Sequence, residues 1–173
     1  MRRTRTSTLA FARFKRIATA YANAMGIDYK FTRAGHKALQ RRVEVSVAAV
    51  LDIAAKTRMH KTINLVDIAR ARQYMTLFCG KRDTLVREAC NAAFESALPQ
   101  KLCVKQLKAR HPGARITRNA VEIVRKLYID VLIAALSSFG RDRGSTKPAR
   151  IKPSEVNAVL DHASLFAEGC ETR

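Results

Sequence analysis

Two long apolar stripes at helical spacing constrain this chain more than any other feature. Leu39, Val43, Val47, Val50, Leu51 and Ala54 fall on one face of a helix predicted from about Thr32 to Met59. Ala120, Val124, Leu127, Val131, Ala135 and Phe139 fall on one face of a second, which opens at Thr117. Both exceed the roughly three to four turns usual in globular domains. A stripe about seven turns long cannot be covered by the short segments beside it. Each long helix therefore needs a partner, and the chain carries two.

Shorter helices flank both. Phe14, Ile17, Tyr21 and Met25 repeat at helical spacing before "GID" interrupts them. Thr32 can cap the long helix that follows. "KT" breaks that helix, and Ile63 and Val66, with Ala69 or Ala71, belong to a short third helix for which Asn64 is a candidate cap. In the second half a helix from Gln100 to Arg110 ends at "HPGAR", and "GRDRGSTKPAR" breaks the second long helix. "KPSEVNAVLDHA" closes the pattern, with Pro153 and Ser154 suited to first helical positions. Between the halves, "RDTLVREACNAAFESALP" reads as a connector helix, capped by Asp83 and closed by Pro99. The expected fold class is all-α. A short–long–short unit spans 10–75 and a second spans 99–165, with a basic tail at 1–9, the connector at 76–98 and a C-terminal tail at 166–173.

Composition agrees with packed helices: 47% of residues are hydrophobic, yet there is no Trp and aromatics are only 6%, so aliphatic side chains must fill the core. Lys and Arg number 33 against 14 Asp and Glu, a net charge of +19. The excess divides as +12 in residues 1–75, zero in 76–98 and +7 in 99–173. Such an imbalance implies an anionic partner. Nucleic acid leads, because counterion release gives strong binding without base reading. A membrane is the weaker alternative, since no apolar run approaches the ~20 residues a span requires. "MRRTRTSTLAFARFKR" also lacks the uninterrupted apolar stretch of a signal peptide.

Other chemistries find little support. Cys79, Cys90, Cys103 and Cys170 match no zinc pattern and no redox pair, and read as thiols in an intracellular, reducing compartment. His36, His60, His111 and His162 have no acidic neighbour at ligand spacing. "GRDRGSTK" lacks the preceding strand and the glycine spacing of a phosphate-binding loop, and there is no Gly-x-Ser-x-Gly. The expectation is a non-enzyme with no cofactor, metal or small-molecule substrate.

The doubled plan resembles the histone fold, whose units pair head to tail in a handshake. "FKRIATAYANAMGIDYKF" resembles the first helix and loop of core histone three, in the placing of Phe14, Arg16, Asp28 and Phe31. "ALQ" at Ala38 to Gln40 recurs in that family's central helix, which is three residues longer there. "TINLVDIARAR" resembles its last loop and helix, with Thr62, Ile63, Asp67, Ile68, Ala69 and Arg70 in order. In the second unit "LKARHPGARITRNAVEIV" is similar to histone two-B, through His111, Pro112, Ile116 and Thr117. "KPARIKPSEVNAVL" is similar to histone two-A, through Lys147, Arg150, Ile151 and Pro153. The type of the second unit stays open. The whole is most similar to fused histone doublets of large DNA viruses; archaeal doublets resemble it less.

That resemblance implies a protein of the nucleus, viral factory or virion that wraps double-stranded DNA alongside other histone or histone-doublet subunits. It also implies where DNA is held: at sites where the first loop of one unit meets the second loop of the other, plus a central site at the first helices. The candidate residues are Lys30 and Arg33 at the first loop of unit one, and His60, Lys61 and Thr62 at its second. In unit two they are Arg115, Thr117 and Arg118, then Lys147 and Arg150. Arg16 near the first helix start, and Arg2, Arg3 and Arg5 in the tail, complete the set. Lys30 occupies the place of a groove-facing Arg in the resembling family. Asp67 is expected to anchor its loop through Arg58 or Lys61, and Arg41 and Arg42 to be surface or inter-subunit residues. Two other functions remain open: a histone-fold subunit of a transcription-regulatory complex, and a basic helical RNA-binding protein.

Overall fold

The first long helix begins where a threonine hydroxyl can accept a backbone N–H. Thr32 Oγ1 accepts from Gly35 N at 3.0 Å, and the helix runs Arg33–Thr57. A computed structural model of the chain describes residues 9–27, 30–74, 76–77, 100–140, 150–162 and 166–167. Over these residues the protein is all-α, with six helices joined by two-residue strands: α1 Phe11–Ala24, β1 Lys30–Phe31, α2 Arg33–Thr57, β2 Thr62–Ile63, α3 Leu65–Tyr74, β3 Thr76–Leu77, α4 Gln100–Arg110, β4 Arg115–Ile116, α5 Arg118–Gly140, β5 Arg150–Ile151, α6 Pro153–His162 and β6 Phe166–Ala167. The expected connector helix lies outside the described residues, where the connector is represented by Thr76 and Leu77 of β3, and so does the N-terminal tail but for Leu9.

Local chemistry sets each boundary. α1 ends in a turn that needs a left-handed residue. Gly26 supplies it at φ 66°, with Gly26 N donating to Asn23 O and Ile27 N to Ala22 O. α3 begins in a reciprocal cap: Asn64 Oδ1 accepts from Asp67 N at 3.1 Å, and Asp67 Oδ2 accepts from Asn64 N at 2.9 Å. At α6, Glu155 accepts the Lys152 N–H at 2.8 Å. Thr117 Oγ1 accepts from Ala120 N at 3.3 Å and opens α5.

All twelve stripe residues of α2 and α5 are buried. These helices, about 37 and 34 Å long at 1.5 Å per residue, pack against each other. Each also packs against short helices from both halves of the chain: α2 against α3 and α6, α5 against α3 and α4. The buried residues form one cluster from Leu9 to Leu160, so the halves share a single core. The strands record the same interlocking. β1 pairs in parallel with β5, β2 in parallel with β4, and β3 antiparallel with β6. The expectation for α3 needs one correction: Val66 is 59% exposed, whereas Ile68 and Ala71 carry its buried face.

Candidate nucleic-acid interface

The two parallel strand pairs bring together loops that are far apart in sequence. In the first, Lys30 stands in register with Arg150 and Phe31 with Ile151. In the second, Thr62 stands in register with Arg115 and Ile63 with Ile116. Successive strand residues face opposite ways, and the sequence uses this. Ile151 and Ile63 are fully buried and Phe31 packs edge-on to Phe139 at 5.4 Å, while Lys30, Arg150 and Arg115 are exposed. The pairs are fastened by Thr32 N to Ile151 O at 3.0 Å and Thr117 N to Ile63 O at 3.0 Å. Gly35 allows the first: a Cβ there would lie 2.5 Å from Ile151 O.

Each strand pair lies beside two helix N-termini, α2 and α6 at the first, α3 and α5 at the second. A helix N-terminus carries partial positive charge and N–H groups without intrahelical partners. Asp67 and Glu155 offset that charge in the first turns of α3 and α6. The first turns of α2 and α5 hold no acid, and each helix instead begins with an arginine, Arg33 or Arg118. A cation at the positive end of a helix is unfavourable until an anion arrives. Among the described residues, none of Lys30, Lys61, Arg115, Arg118 and Arg150 is held in an ion pair.

The acidic groups engage other cations. Asp52 takes Arg110 and His111, both at 2.9 Å; Arg42 pairs with Asp161; Glu122 takes Arg125 at 2.8 Å. Arg72 of α3 lies 3.9 Å from the buried carboxylate of Asp130 in α5. Two expectations change accordingly. His111 does have an acidic partner, Asp52, 59 residues away in sequence. Arg42 is a surface residue, as expected, and is tied within the chain to Asp161 of α6. Asp67 holds its loop through the Asn64 backbone, while Arg58 donates to Ala55 O at 2.6 Å.

The remaining candidates are distributed around these sites. Arg33 is exposed, with its guanidinium carbon 5.9 Å from the Phe11 ring centre, and Lys37 Nζ is 5.7 Å from the same ring. His60 and Lys61 are exposed before β2, Thr62 and Thr117 are half-buried, and Arg118 is exposed. Arg16 is exposed on α1, outside both strand pairs. Arg2, Arg3, Arg5 and Lys147 lie outside the described residues. A groove of about 780 Å³ between α4 and the start of α5 is lined by Val104, Ile116 and Val121 with Lys101, Lys105, Lys108 and Arg118. The lysines of α4 were legible as an i, i+4, i+7 row, yet only the fold sets them beside the second strand pair.

Below the first pair, His36 is buried with its ring 5.0 Å from Phe31 and Nδ1 3.3 Å from Thr32 O. Burial lowers its pKa, and Lys15 adds to that, against opposing hydrogen bonds from the Thr32 and Phe31 backbone. Burial raises Cys103 to about 11 and also raises Tyr128, whose hydroxyl has no hydrogen-bond partner among the described residues. No cluster of three or more His, Cys, Asp or Glu side chains suited to a metal occurs among the described residues, and none of their helices is long and apolar enough to cross a membrane. No family model matches the chain, and neither a curated protein nor a solved structure matches it.

Proposed function

We propose that this chain is a histone-fold doublet that wraps double-stranded DNA through phosphate and minor-groove contacts, largely without reading sequence. The observation that carries the reading is the reciprocal pairing of the strands. Each joins a loop of one half to a loop of the other and sets cations, without ion pairs among the described residues, beside an acid-free helix N-terminus. The histone octamer holds DNA by the same physical means: arginine in the inward-facing minor groove, helix dipoles and main-chain contacts to phosphate. A net charge of +19 supports the reading, as does the pairing of Asp52, Glu122 and Asp161 with Arg110, Arg125 and Arg42 rather than with the strand-pair cations. In this reading the protein acts with other histone or doublet subunits, in the nucleus, viral factory or virion, and catalyses nothing.

Reconstitution on long linear duplex followed by nuclease digestion tests it. Protected fragments of a defined length are expected, and a smear without preferred lengths would sink the proposal. Competition between duplex DNA and structured RNA at matched salt separates the RNA-binding alternative, since the paired sites should favour the duplex. DNA binding that appears only after another chain is added would instead favour the transcription-regulatory alternative.

A further inference from the structure

Helix α4 leaves apolar surface that the core does not use. Leu107 and Cys103 pack with the core cluster, but Val104 beside them is half-buried and outside it. Near the start of α5, Val121 is 4% exposed and likewise outside that cluster. With Ile116 of β4, these two valines give the groove between α4 and α5 its apolar lining. Its volume of about 780 Å³ lies within the roughly 300–1,000 Å³ usual for ligand sites.

The charge around it has one sign. Lys101, Lys105 and Lys108 of α4 and Arg118 of α5 line the groove and are exposed, and among the described residues no carboxylate lines it. The lysines recur every three or four residues, which sets them along one helix face. Among the described residues none of the four cations is held in an ion pair. Glu122, next to Val121, accepts from Gln100 and from Arg125, the latter at 2.8 Å. A phosphate backbone would answer the cations and leave the valines wet. Apolar surface gains from apolar side chains, so cations and valines together describe a peptide.

We infer that this groove docks an acidic segment of a partner protein, one that carries a few large apolar side chains among its Asp and Glu residues. The apolar side chains cover Val104, Ile116 and Val121, and the carboxylates meet the lysine row and Arg118. This docking goes beyond DNA wrapping and does not depend on it. Arg118 also flanks the second strand pair, so where the DNA-wrapping reading holds, the segment and the duplex exclude each other there.

Fluorescence anisotropy on the full-length protein tests this with two labelled peptides as long as α4. One carries Leu and Phe among Asp and Glu; the other has the same charge, with Ser in place of Leu and Phe. The first should bind tighter by about tenfold, the factor that burying one apolar side chain supplies. Val104→Asn should remove about that factor for the first peptide and leave the second unchanged. Replacing Lys101, Lys105 and Lys108 together by Gln should weaken both. If Val104→Asn does not melt cooperatively, Val104→Thr carries the comparison with the same direction of effect. Equal binding of the two peptides overturns the inference, and so does a Val104 substitution without effect on the first. A loss of short-duplex binding in Val104→Asn as large as the peptide loss assigns the groove to nucleic acid and overturns it too. Peptide docking by a protein that binds no duplex would instead remove the DNA-wrapping reading and leave this inference standing.

Discussion

Lys30 and Arg150, 120 residues apart in sequence, are in-register neighbours on one parallel strand pair, both exposed and neither held in an ion pair among the described residues. At the roughly 4.8 Å spacing of paired strands, two like charges side by side are uncomfortable in the absence of an anion. In the proposed DNA-wrapping reading, a duplex phosphate or a narrow minor groove would relieve that repulsion. Replacing Lys30, Lys61, Arg115 and Arg150 together by Gln should lower the salt slope of DNA binding by about 3.6. Arg150→Lys should leave the slope unchanged while weakening affinity, because the charge stays and the planar fork is lost. Salt-dependent anisotropy titrations check both; an unaltered slope in the fourfold variant would place the DNA elsewhere.

Gly35 should tolerate no side chain despite its helical position. On an open helix Gly→Ala stabilises by up to about 1 kcal/mol. Here the new Cβ would meet the Ile151 carbonyl oxygen at 2.5 Å, and that atom belongs to the backbone of the strand pair. Gly35→Ala is expected to cost about 1–3 kcal/mol, as overpacking does. Denaturant unfolding measures it, and a stabilised variant would contradict the close approach.

The cap of α3 makes a cleaner case of local energetics. Asn64→Ala removes the side-chain acceptor for the Asp67 N–H, and should cost about 1 kcal/mol. Asp67→Ala should cost a similar or larger amount, because the Asn64 N–H then loses its acceptor. Lys61→Ala should leave stability within about 0.5 kcal/mol, as a surface substitution does, since Lys61 is not the partner of Asp67. A large loss in Lys61→Ala would restore the ion-pair account of this loop.

His36 should make stability depend on pH. Its pKa in the folded protein is below the ordinary 6.5, chiefly because burial disfavours the charged ring. As pH falls, the unfolded chain takes up the proton first and is stabilised by it. The His36 contribution is therefore complete above about pH 6.5 and declines as pH drops toward and through the folded-state value. Urea unfolding at pH 7.5 and 5.5 should show a smaller difference for His36→Leu than for the unaltered protein. Equal differences would assign the pH dependence to other groups.

Much of the architecture was legible before any coordinates. The twelve stripe residues were readable because burial on a helix leaves a 3.6-residue period, and every one is buried. Thr32, Asn64 and Pro153 were readable because caps and first turns depend on nearest neighbours. What stayed hidden depends on distance along the chain. The Asp52 contacts to Arg110 and His111, the Gln40 and Glu44 grip on Leu9, and the β3–β6 pair join residues with no local signature. Val66 looked like a core residue because its type is apolar, and only packing determines which side of a three-turn helix faces inward.

The sequence by itself determined two long amphipathic helices, their flanking short helices, and an excess of positive charge at the joints, because periodicity, capping and composition are local or additive properties. Only the tertiary structure decided which joint meets which. Burying both stripes in one core turns the halves against each other, and this draws Lys30 to Arg150 and Thr62 to Arg115. Charges scattered along the chain thereby become two compact cationic sites, because side-chain geometry there follows from a shared core.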